Sequence, residues 1–382
     1  METTAVRKDV CVRRVSSRAD FRRYLDFPRR VYRGDPNWVE PLRMDTKEKL
    51  DVRKHPFFEH AEREIFLAWR GDEVVGRVAA ILDRNHNSFH DESVVFFGQY
   101  ECLDDTDAAR ALLDAAADWG RERGMTVLRG PVNLSLNDEC AFLVDGFDSP
   151  PVVMMPYNPR YYLDQMDRCA MAKAKDLYAF LFTSDAVSAP DIEQMAARIR
   201  AETRAVCRTI DLKDWKAEAL RVQAIYNGGW VKNWGFVPWT QAEMEHTVKT
   251  LKTLADPNLV VFAEVDGKPV GFGFGLPNFN EILIKLHGRL LPFGIFRLLL
   301  GKRKIRSLRS PVFGVLREYH HTGVAQLLAI EGIRRAWARG FDWCELSWQL
   351  EDNTAVNRFA EKFGGRRYKT YRIYERPVGP PR

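Results

Sequence analysis

Cysteine is scarce in this sequence, and its six cysteines lie far apart along 382 residues. None is paired as Cys-x-x-Cys, and the eight histidines form no cluster that would complete a zinc site. The usual zinc motifs are therefore missing, and isolated cysteines are typical of reduced thiols in the cytosol. We expect no metal ligands and a cytoplasmic location.

Two further features are lacking. The first residues, METTAVRKDV, contain no apolar core, so no secretory signal peptide is predicted. The net charge of +6 is small for this length and does not by itself indicate a nucleic-acid partner. What the chain does contain is 382 residues, enough for two or three domains, and 46% hydrophobic residues, enough for packed cores.

The positive charge is concentrated in residues 281–309, which carry a net charge of +7. The same segment is rich in Leu, Ile and Phe. Arg289, Pro292, Gly294 and Arg297 interrupt its apolar runs before they reach the roughly 20 residues of a membrane-spanning helix. A segment of this kind is expected to lie on an anionic membrane surface rather than to cross it, here the inner face of the cell membrane.

The two halves of the chain repeat one series of predicted elements. Each half has a strand hairpin, a long helix, a strand, an asparagine before another helix, and an aromatic strand. In the first half these are 64–82, 108–124, 125–132, Asn158 and 177–182, and in the second half 259–276, 324–340, 341–348, Asn353 and 371–376. The repeat predicts two α/β domains, each with a central sheet flanked by helices. We place them at 1–183 and 195–382, joined by a polar linker at 184–194, with 281–309 as an insert in the second.

A turn with two small residues separates a predicted strand from the helix at 324–340. Gly323 and Ala325 are spaced as Gly-x-Ala where this helix begins. The first turn of a helix has unpaired N–H groups and the positive end of the helix dipole, so it attracts anions. Small side chains let a phosphate approach these N–H groups closely. This turn is therefore a candidate phosphate site.

The order of elements and this turn resemble the GNAT acyltransferase superfamily, whose motif is Gln/Arg-x-x-Gly-x-Gly/Ala. The matching positions here are His320, His321, Thr322, Gly323, Val324 and Ala325. The resemblance implies that their backbone amides bind the pyrophosphate of coenzyme A, with His320 in place of the usual first residue. It also implies that the backbone near Val315 and Leu316 holds the thioester, and it adds Asn353 to the cofactor site.

The corresponding turn of the first half has no glycine near the helix start. It carries four carboxylates, Glu101, Asp104, Asp105 and Asp107, which would repel a pyrophosphate. We expect the first domain to be a degenerate copy that does not bind coenzyme A.

A narrower resemblance covers most of the chain. The segments GPVNLSLNDECAFLVDGFDSPP and WQLEDNTAVNRFAEKFGGRRYKTYRIYE are similar to a bacterial family of tandem GNAT proteins, the ceramide synthase-like N-acyltransferases. This resemblance implies an acyl-CoA donor, a long-chain lipid amine such as a sphingoid base as acceptor, and formation of an amide.

N-acyl transfer requires a base that takes a proton from the amine and an acid that protonates the leaving thiolate. In the superfamily a carboxylate on the fourth or fifth strand often acts as base, so the candidates are Glu345 and Glu318, with His320 as a candidate proton relay. The usual acid is a tyrosine in the helix after the asparagine, but that position holds Ala360. Two alternatives stay open: a tyrosine of the last strand (Tyr368, Tyr371 or Tyr374), or water.

An aromatic segment at 225–243 is the candidate acceptor site. Trp230, Asn233, Trp234 and Phe236 would form an apolar wall suited to a long-chain acceptor. The alternative is that these aromatic residues only pack a helix pair.

Four functions remain open at this stage. The first is a peripheral membrane enzyme that transfers an acyl group from coenzyme A to a lipid amine. The second is a soluble N-acetyltransferase that acts on a small-molecule or protein amine. The third is a Fem-type aminoacyl transferase, and the fourth is a non-catalytic binding protein. The phosphate turn argues against the last two, and the basic apolar segment favours the first over the second.

Overall fold

The structure is a computed structural model that describes residues 9–184, 189–290 and 294–379. These residues form two compact units. Unit 1 contains the described residues up to 176 together with 287–289 and 371–379. Unit 2 contains those from 177 to 286 and from 290 to 370.

The described residues contain both strands and helices in each half of the chain. Up to residue 183 the strands are β1 (Val10–Arg14), β2 (Ala61–Arg70), β3 (Glu73–Asp83), β4 (Val94–Cys102), β5 (Val127–Gly130), β6 (Phe142–Asp145) and β7 (Ala172–Thr183). The helices of this part are α1 (Arg18–Asp26), α2 (Pro28–Val31), α3 (Arg43–Lys49), α4 (Arg84–His90), α5 (Thr106–Arg121) and α6 (Tyr161–Arg168).

The second part also contains both kinds of element. Its helices are α7 (Ala189–Thr203), α8 (Trp215–Gly229), α9 (Gln241–Leu254), α10 (Asn280–Leu283), α11 (Gly294–Gly301), α12 (Val324–Ala338) and α13 (Thr354–Lys362). Its strands are β8 (Ala205–Thr209), β9 (Val260–Val265), β10 (Lys268–Pro277), β11 (Ser307–Val315), β12 (Trp343–Leu350) and β13 (Arg366–Pro377).

Each unit is built on a mixed sheet. In unit 1 the strand order is β1-β2-β3-β4-β5-β13, and the pair β4/β5 is parallel. In unit 2 the order is β7-β12-β11-β10-β9-β8, and the pair β11/β12 is parallel. The repeat of α/β units, with helices flanking a mixed sheet, confirms the predicted fold class.

Both predicted hairpins are present. β2 and β3 are joined at Gly71 and Asp72, and β9 and β10 are joined at Asp266 and Gly267. Both φ angles of the second turn are positive, 49° at Asp266 and 75° at Gly267, a conformation that Asp-Gly tolerates in tight hairpins. The long helices after the hairpins are α5 and α12.

Apolar side chains hold each long helix against its sheet. α12 buries Leu327, Leu328 and Ile330, which pack with Val261 and Val270 of the hairpin. Complete burial of one such side chain contributes about 1.5–3 kcal/mol. This packing fixes the direction of α12, and therefore the position of its N-terminus beside β11.

The units differ at several boundaries from the domains expected above: the first stretch of unit 1 ends at residue 176 rather than 183, and residues 287–289 also belong to unit 1. α7 begins at Ala189, inside the expected linker, of which residues 185–188 lie outside the described residues. Residues 371–379 belong to unit 1, because the end of β13 pairs with β5 from Tyr374 to Pro377.

The basic apolar segment forms two short helices and part of a strand. α10 and α11 are followed by a 3-10 turn, Lys302–Lys304, while Leu291, Pro292 and Phe293 lie outside the described residues. Its last residues were expected to be part of a surface insert, but Ser307, Leu308 and Arg309 are buried in β11. Arg309 is therefore not available to a membrane surface. Among the described helices, none has the length and apolar character needed to cross a membrane.

Candidate active site

The site begins with a fork between β11 and β12. The two strands pair only from Ser307 to Ser310 against Trp343 to Leu346, and β11 continues beyond that point to Val315. A β-bulge in the pairing of β10 with β11 lies where the pairing with β12 stops. Phe274 of β10 pairs with Val312 of β11, and Leu276 pairs with Arg309, so that three residue steps along β11 oppose two along β10. A bulge bends a strand and interrupts its ladder, so it is the local cause of the fork.

The bulge also changes which side chains of β11 face each side of the sheet. Phe313 and Val315 pack with α12, whereas Val312 and Leu316 pack with α8. The backbone of β11 beyond the bulge is therefore a short strand edge between two apolar layers. An extended molecule with amide groups could pair with such an edge, as an added strand does.

The N-terminus of α12 lies beside this fork. Its N-cap residue is Gly323, with a φ of 87°, a left-handed conformation that favours glycine. A Cβ atom at this position would also lie 3.1 Å from Cγ1 of Ile199. Gly323 has no side chain to cap the helix, and the amide of Val324 donates only a long hydrogen bond of 3.4 Å to the Thr322 hydroxyl. The first turn of α12 can therefore offer N–H groups to an anion.

The remaining residues of the turn surround this N-terminus. His320, His321 and Thr322 are exposed. The Nε2 atom of His320 lies 3.3 Å from the carbonyl oxygen of Val315, and the Thr322 hydroxyl donates a hydrogen bond of 2.9 Å to the carbonyl of Tyr319. His320 thus connects the predicted phosphate turn to the end of β11, where the thioester is expected.

Asn353 has a structural role that the structure makes explicit. It is the N-cap of α13, and its side chain accepts a hydrogen bond of 3.4 Å from the amide of Val356. Ala360, at the position of the usual acid, is fully buried in the core that α12 and α13 share. Its neighbour Phe359 stacks on Phe313 of β11, with ring centroids 6.5 Å apart.

Glu345 is the most unusual side chain near the fork. It lies on β12, opposite Arg309 of β11, and has no solvent-exposed surface. The hydroxyl groups of Ser347 and Tyr368 each donate a short hydrogen bond to its carboxylate. Burial raises the pKa of Glu345, while these two hydrogen bonds act in the opposite direction. Glu345 therefore points into the interior and not into solvent.

A second layer of polar side chains supports this carboxylate. Arg309 is buried, and its Nε donates a hydrogen bond of 3.0 Å to the Ser347 hydroxyl. Lys369, also buried, contributes a positive charge that lowers the pKa of Glu345. Sequence reasoning missed Ser347, Arg309 and Lys369. The available signal was polar residues within otherwise apolar strands, which require partners when they are buried.

The other candidates for acid–base chemistry are placed differently. Glu318 is exposed in the 3-10 turn Arg317–Tyr319. Tyr371 and Tyr374 are buried and belong to unit 1, whereas Tyr368 belongs to unit 2 and is only partly buried. Of the three tyrosines, Tyr368 is the one that contacts Glu345.

The aromatic segment divides into a core part and a part beside β11. Phe236 is buried with Phe262 and Phe272, so it packs the core between α8 and the sheet. Tyr226 stacks between Trp239, at 4.1 Å, and Trp230, at 5.1 Å. Asn233 and Trp234 are half-buried in the loop that follows α8.

Trp230 is the member of this group closest to the fork. Its ring covers Gly314 of β11 so tightly that a Cβ atom there would lie 2.6 Å from the ring. Glycine at 314 is therefore required for this contact. The indole borders the strand edge beyond the bulge, where the acyl group is expected.

The corresponding region of unit 1 has the same bulge but is closed. Arg77 of β3 pairs with Glu101 of β4, and Ala79 pairs with Gly98, so that three residue steps along β4 oppose two along β3. The edge of β4 is occupied by the chain itself: the amide of Val132 donates to the carbonyl of Phe97 at 2.8 Å, and the amide of Gln99 donates to Oδ1 of Asn133 at 2.7 Å.

The helix start of unit 1 is closed as well. Asp105 is the N-cap of α5, and its carboxylate accepts hydrogen bonds from the amides of Asp107 and Ala108. The same carboxylate pairs with Arg70 at 2.8 Å. A carboxylate thus occupies the position where a pyrophosphate would bind.

Comparison with known proteins identifies relatives over the full length. The chain is 37% identical over 377 residues to bacterial ceramide synthase from Caulobacter vibrioides, covering 97% of this chain and 98% of that protein. It is 33% identical over 374 residues to protein YghO from Escherichia coli, covering 96% and 95%. A scan against protein-family models gave no match.

Solved structures of the same fold are more distant in sequence. A tandem GNAT protein from the clavulanic acid biosynthesis pathway superposes with a TM-score of 0.59 at 12% identity, over 98% of this chain and 100% of that one. A GCN5-related N-acetyltransferase from Sphaerobacter thermophilus gives 0.52 at 14% identity, over 97% and 96%. The fold is therefore that of a tandem GNAT protein. With its full-length relatives above 30% identity, the chain belongs to the family of bacterial ceramide synthase, and it is an N-acyltransferase.

Proposed function

We propose that this enzyme transfers a long-chain acyl group from coenzyme A to the amine of a lipid, such as a sphingoid base. Its relative of 37% identity is named bacterial ceramide synthase, and this name motivates the lipid acceptor. The observation that carries the proposal is the exposed apolar surface of α11 next to a basic turn, since an enzyme with only water-soluble substrates does not require it.

The apolar surface consists of Ile295, Phe296, Leu299 and Leu300. Their exposed fractions rise from 36% at Ile295 to 77% at Leu300. The next turn places Lys302, Arg303 and Lys304 in solvent. Apolar side chains beside a basic cluster are typical of elements that rest in an anionic lipid surface, where each basic residue contributes about 1 kcal/mol. We infer that this surface delivers the enzyme to the bilayer that contains its acceptor.

The donor site of the proposal is the fork of unit 2. The N–H groups at Gly323, Val324 and Ala325 would bind the pyrophosphate, and the edge of β11 near Val315 and Leu316 would hold the pantetheine chain and the thioester. Support comes from the uncapped start of α12 and from the bulge that frees this edge.

The acceptor would enter on the side of the fork where α8 packs. Trp230 and the half-buried Trp234 offer apolar surface there, which favours the neutral form of an amine over its ammonium form. Glu345 is our leading general base, and the exposed Glu318 is the second candidate.

One observation favours a second candidate function, N-acetylation of a small amine. The Trp230 ring fills the space above Gly314 and leaves less room beside the expected thioester. An acetyl group would fit such a narrow site, whereas a long acyl chain would have to run along the fork instead.

The test is to incubate the purified protein with labelled palmitoyl-CoA and sphinganine in anionic vesicles. We expect a labelled amide, and we expect Glu345→Gln to slow its formation by about 10²-fold if Glu345 is the base. Glu361→Gln, a change of the same kind at an exposed position of α13, should have no effect. A product from acetyl-CoA with polar amines, and none from the lipid pair, would leave the second candidate standing.

A further inference from the structure

The carboxylate of Glu345 cannot itself touch a bound amine, because its side chain is completely buried. The group that touches it from the less buried side is the Tyr368 hydroxyl, at the start of β13. Glu345 lies one residue before Leu346, the last residue of β12 that pairs with β11. The pair of Glu345 and Tyr368 is therefore located at the base of the fork.

We propose that Tyr368 is a catalytic residue that carries protons between the reacting atoms and Glu345. This inference rests on the proposed acyl transfer, but it does not depend on which amine is the acceptor. The position of the usual acid is occupied by Ala360, which is fully buried and has no group that can ionise. Tyr368 reaches the fork from a different element, the last strand.

The proton balance of this step is complete. The neutral amine attacks the thioester carbonyl, so that a C–N bond forms and the C–S bond breaks. The amine gives one proton to the Tyr368 oxygen while the Tyr368 hydroxyl proton passes to Glu345. The departing thiolate then takes a proton from Tyr368, and Glu345 returns its own proton to Tyr368. One proton has moved from nitrogen to sulfur, and both residues are restored.

Ser347 and Arg309 have a positioning role in this scheme. The Ser347 hydroxyl donates to the second oxygen of Glu345 and accepts from Arg309, which leaves Glu345 Oε2 to Tyr368. Lys369 of β13 also lowers the pKa of Glu345, and the partner of Glu345 on β7 is the apolar Leu181. On β12, burial and the neighbouring Glu345 raise the pKa of the Cys344 thiol. The hydroxyl groups orient the carboxylate, and the two cations favour its charged form.

The first test is Tyr368→Phe, which keeps the ring and removes the hydroxyl. Release of coenzyme A thiol is measured across pH with two substrate pairs, palmitoyl-CoA with sphinganine and acetyl-CoA with spermidine. At high pH, where Glu345 is ionised, we expect the variant to be slower by about 10²-fold, with the affinity for coenzyme A unchanged. A rate within about threefold of the wild type would overturn the relay.

Tyr178→Phe provides the matched control, because it removes a tyrosine hydroxyl from β7 of the same unit. Its rate should equal that of the wild type. If turnover occurs only with the acetyl-CoA pair, the lipid acceptor is excluded, and the relay is still decided by the Tyr368→Phe ratio for that pair.

Ser347→Ala is the second variant, and its readout is the pH profile. The lost hydrogen bond stabilised the charged carboxylate, so the pKa of Glu345 should rise further. The rising limb of the profile should move to higher pH, while the maximal rate falls less than in Tyr368→Phe. An unmoved limb would show that Glu345 does not act in the reaction.

Discussion

Unit 1 and unit 2 have the same β-bulge, but the strand edge beyond it is filled in unit 1 and open in unit 2. The bulge lies in β4 of unit 1 and in β11 of unit 2, the strand that pairs with the hairpin in each case. It separates the end of that strand from its parallel neighbour, β5 or β12. In unit 2 this leaves the strand edge beyond the bulge unpaired with β12. In unit 1 the edge is occupied by the chain itself, through the amide of Val132 and the side chain of Asn133.

The helix starts differ in the same sense. Asp105 fills the N-terminus of α5 with a carboxylate, whereas Gly323 leaves that of α12 without a side-chain cap. The comparison teaches that unit 1 keeps the same local fold while filling the positions that unit 2 leaves open. Its strand edge and its helix dipole still require partners, and here the chain supplies both.

The largest effect is expected from closing the open helix start. Gly323→Glu would place a side chain in a left-handed conformation and a negative charge against the pyrophosphate. The strained conformation lowers the stability of the fold. The charge repulsion is what weakens binding, by about 4 kcal/mol or on the order of 10³-fold in affinity for coenzyme A. Calorimetry should detect no binding, because unit 1 provides no second site.

Asp105→Asn serves as the control in unit 1, since asparagine retains the helix cap. This variant should bind coenzyme A with the affinity of the wild type and at one molecule per chain. Unchanged binding by Gly323→Glu would show that the turn of unit 2 is not the phosphate site.

A smaller effect is expected from the buried carboxylate of unit 1. Burial raises the pKa of Glu101 to about 7, despite Arg77 at 3.9 Å and a hydrogen bond of 2.7 Å from the Tyr162 hydroxyl. Between the ordinary pKa and 7 the folded state binds more protons than the unfolded state, so stability falls as pH rises. Glu101→Gln removes this dependence and should stabilise the protein at pH 8 by up to about 3 kcal/mol.

Denaturant titrations at pH 5 and pH 8 provide the measurement. The gain of Glu101→Gln should fall below about 1 kcal/mol at pH 5, because there the carboxyl group is protonated in the folded state and the pH lies only slightly above its ordinary pKa in the unfolded state. Acyl transfer should be unaffected, in contrast to Glu345→Gln in unit 2. An equal change in stability at the two pH values would contradict the shifted pKa.

The smallest effect is expected on binding of the protein to anionic vesicles. Lys302→Gln and Lys304→Gln together should weaken binding to anionic vesicles by about 2 kcal/mol, which flotation can measure. Arg18→Gln and Arg22→Gln, at exposed positions of α1 in unit 1, remove the same charge and should change nothing. Equal recovery of both double variants would mean that the turn after α11 is not the membrane contact.

Much of the fold could be predicted from the sequence, because periodic apolar residues and Asp-Gly or Gly-Asp turns are local signals. The hairpins and the helices α5 and α12 are of this kind. The bulge of β11 has no such signal, since it depends on the register between β10 and β11. The predicted basic surface segment, 281–309, ends too late for a related reason. From the sequence Arg309 resembles one more surface cation, and only its contact with Ser347 in the structure explains why it is buried.

The candidate site shows the same division. The sequence by itself determined that a helix with a small-residue start follows a strand, that the first half lacks this feature, and that Glu345 is a carboxylate in an apolar strand. Only the tertiary structure decided which hydroxyl groups reach Glu345, because Ser347 and Tyr368 lie 2 and 23 residues away along the chain. Contacts between strands are fixed by sheet register and packing, and a desolvated carboxylate acquires its pKa and its partners from those contacts.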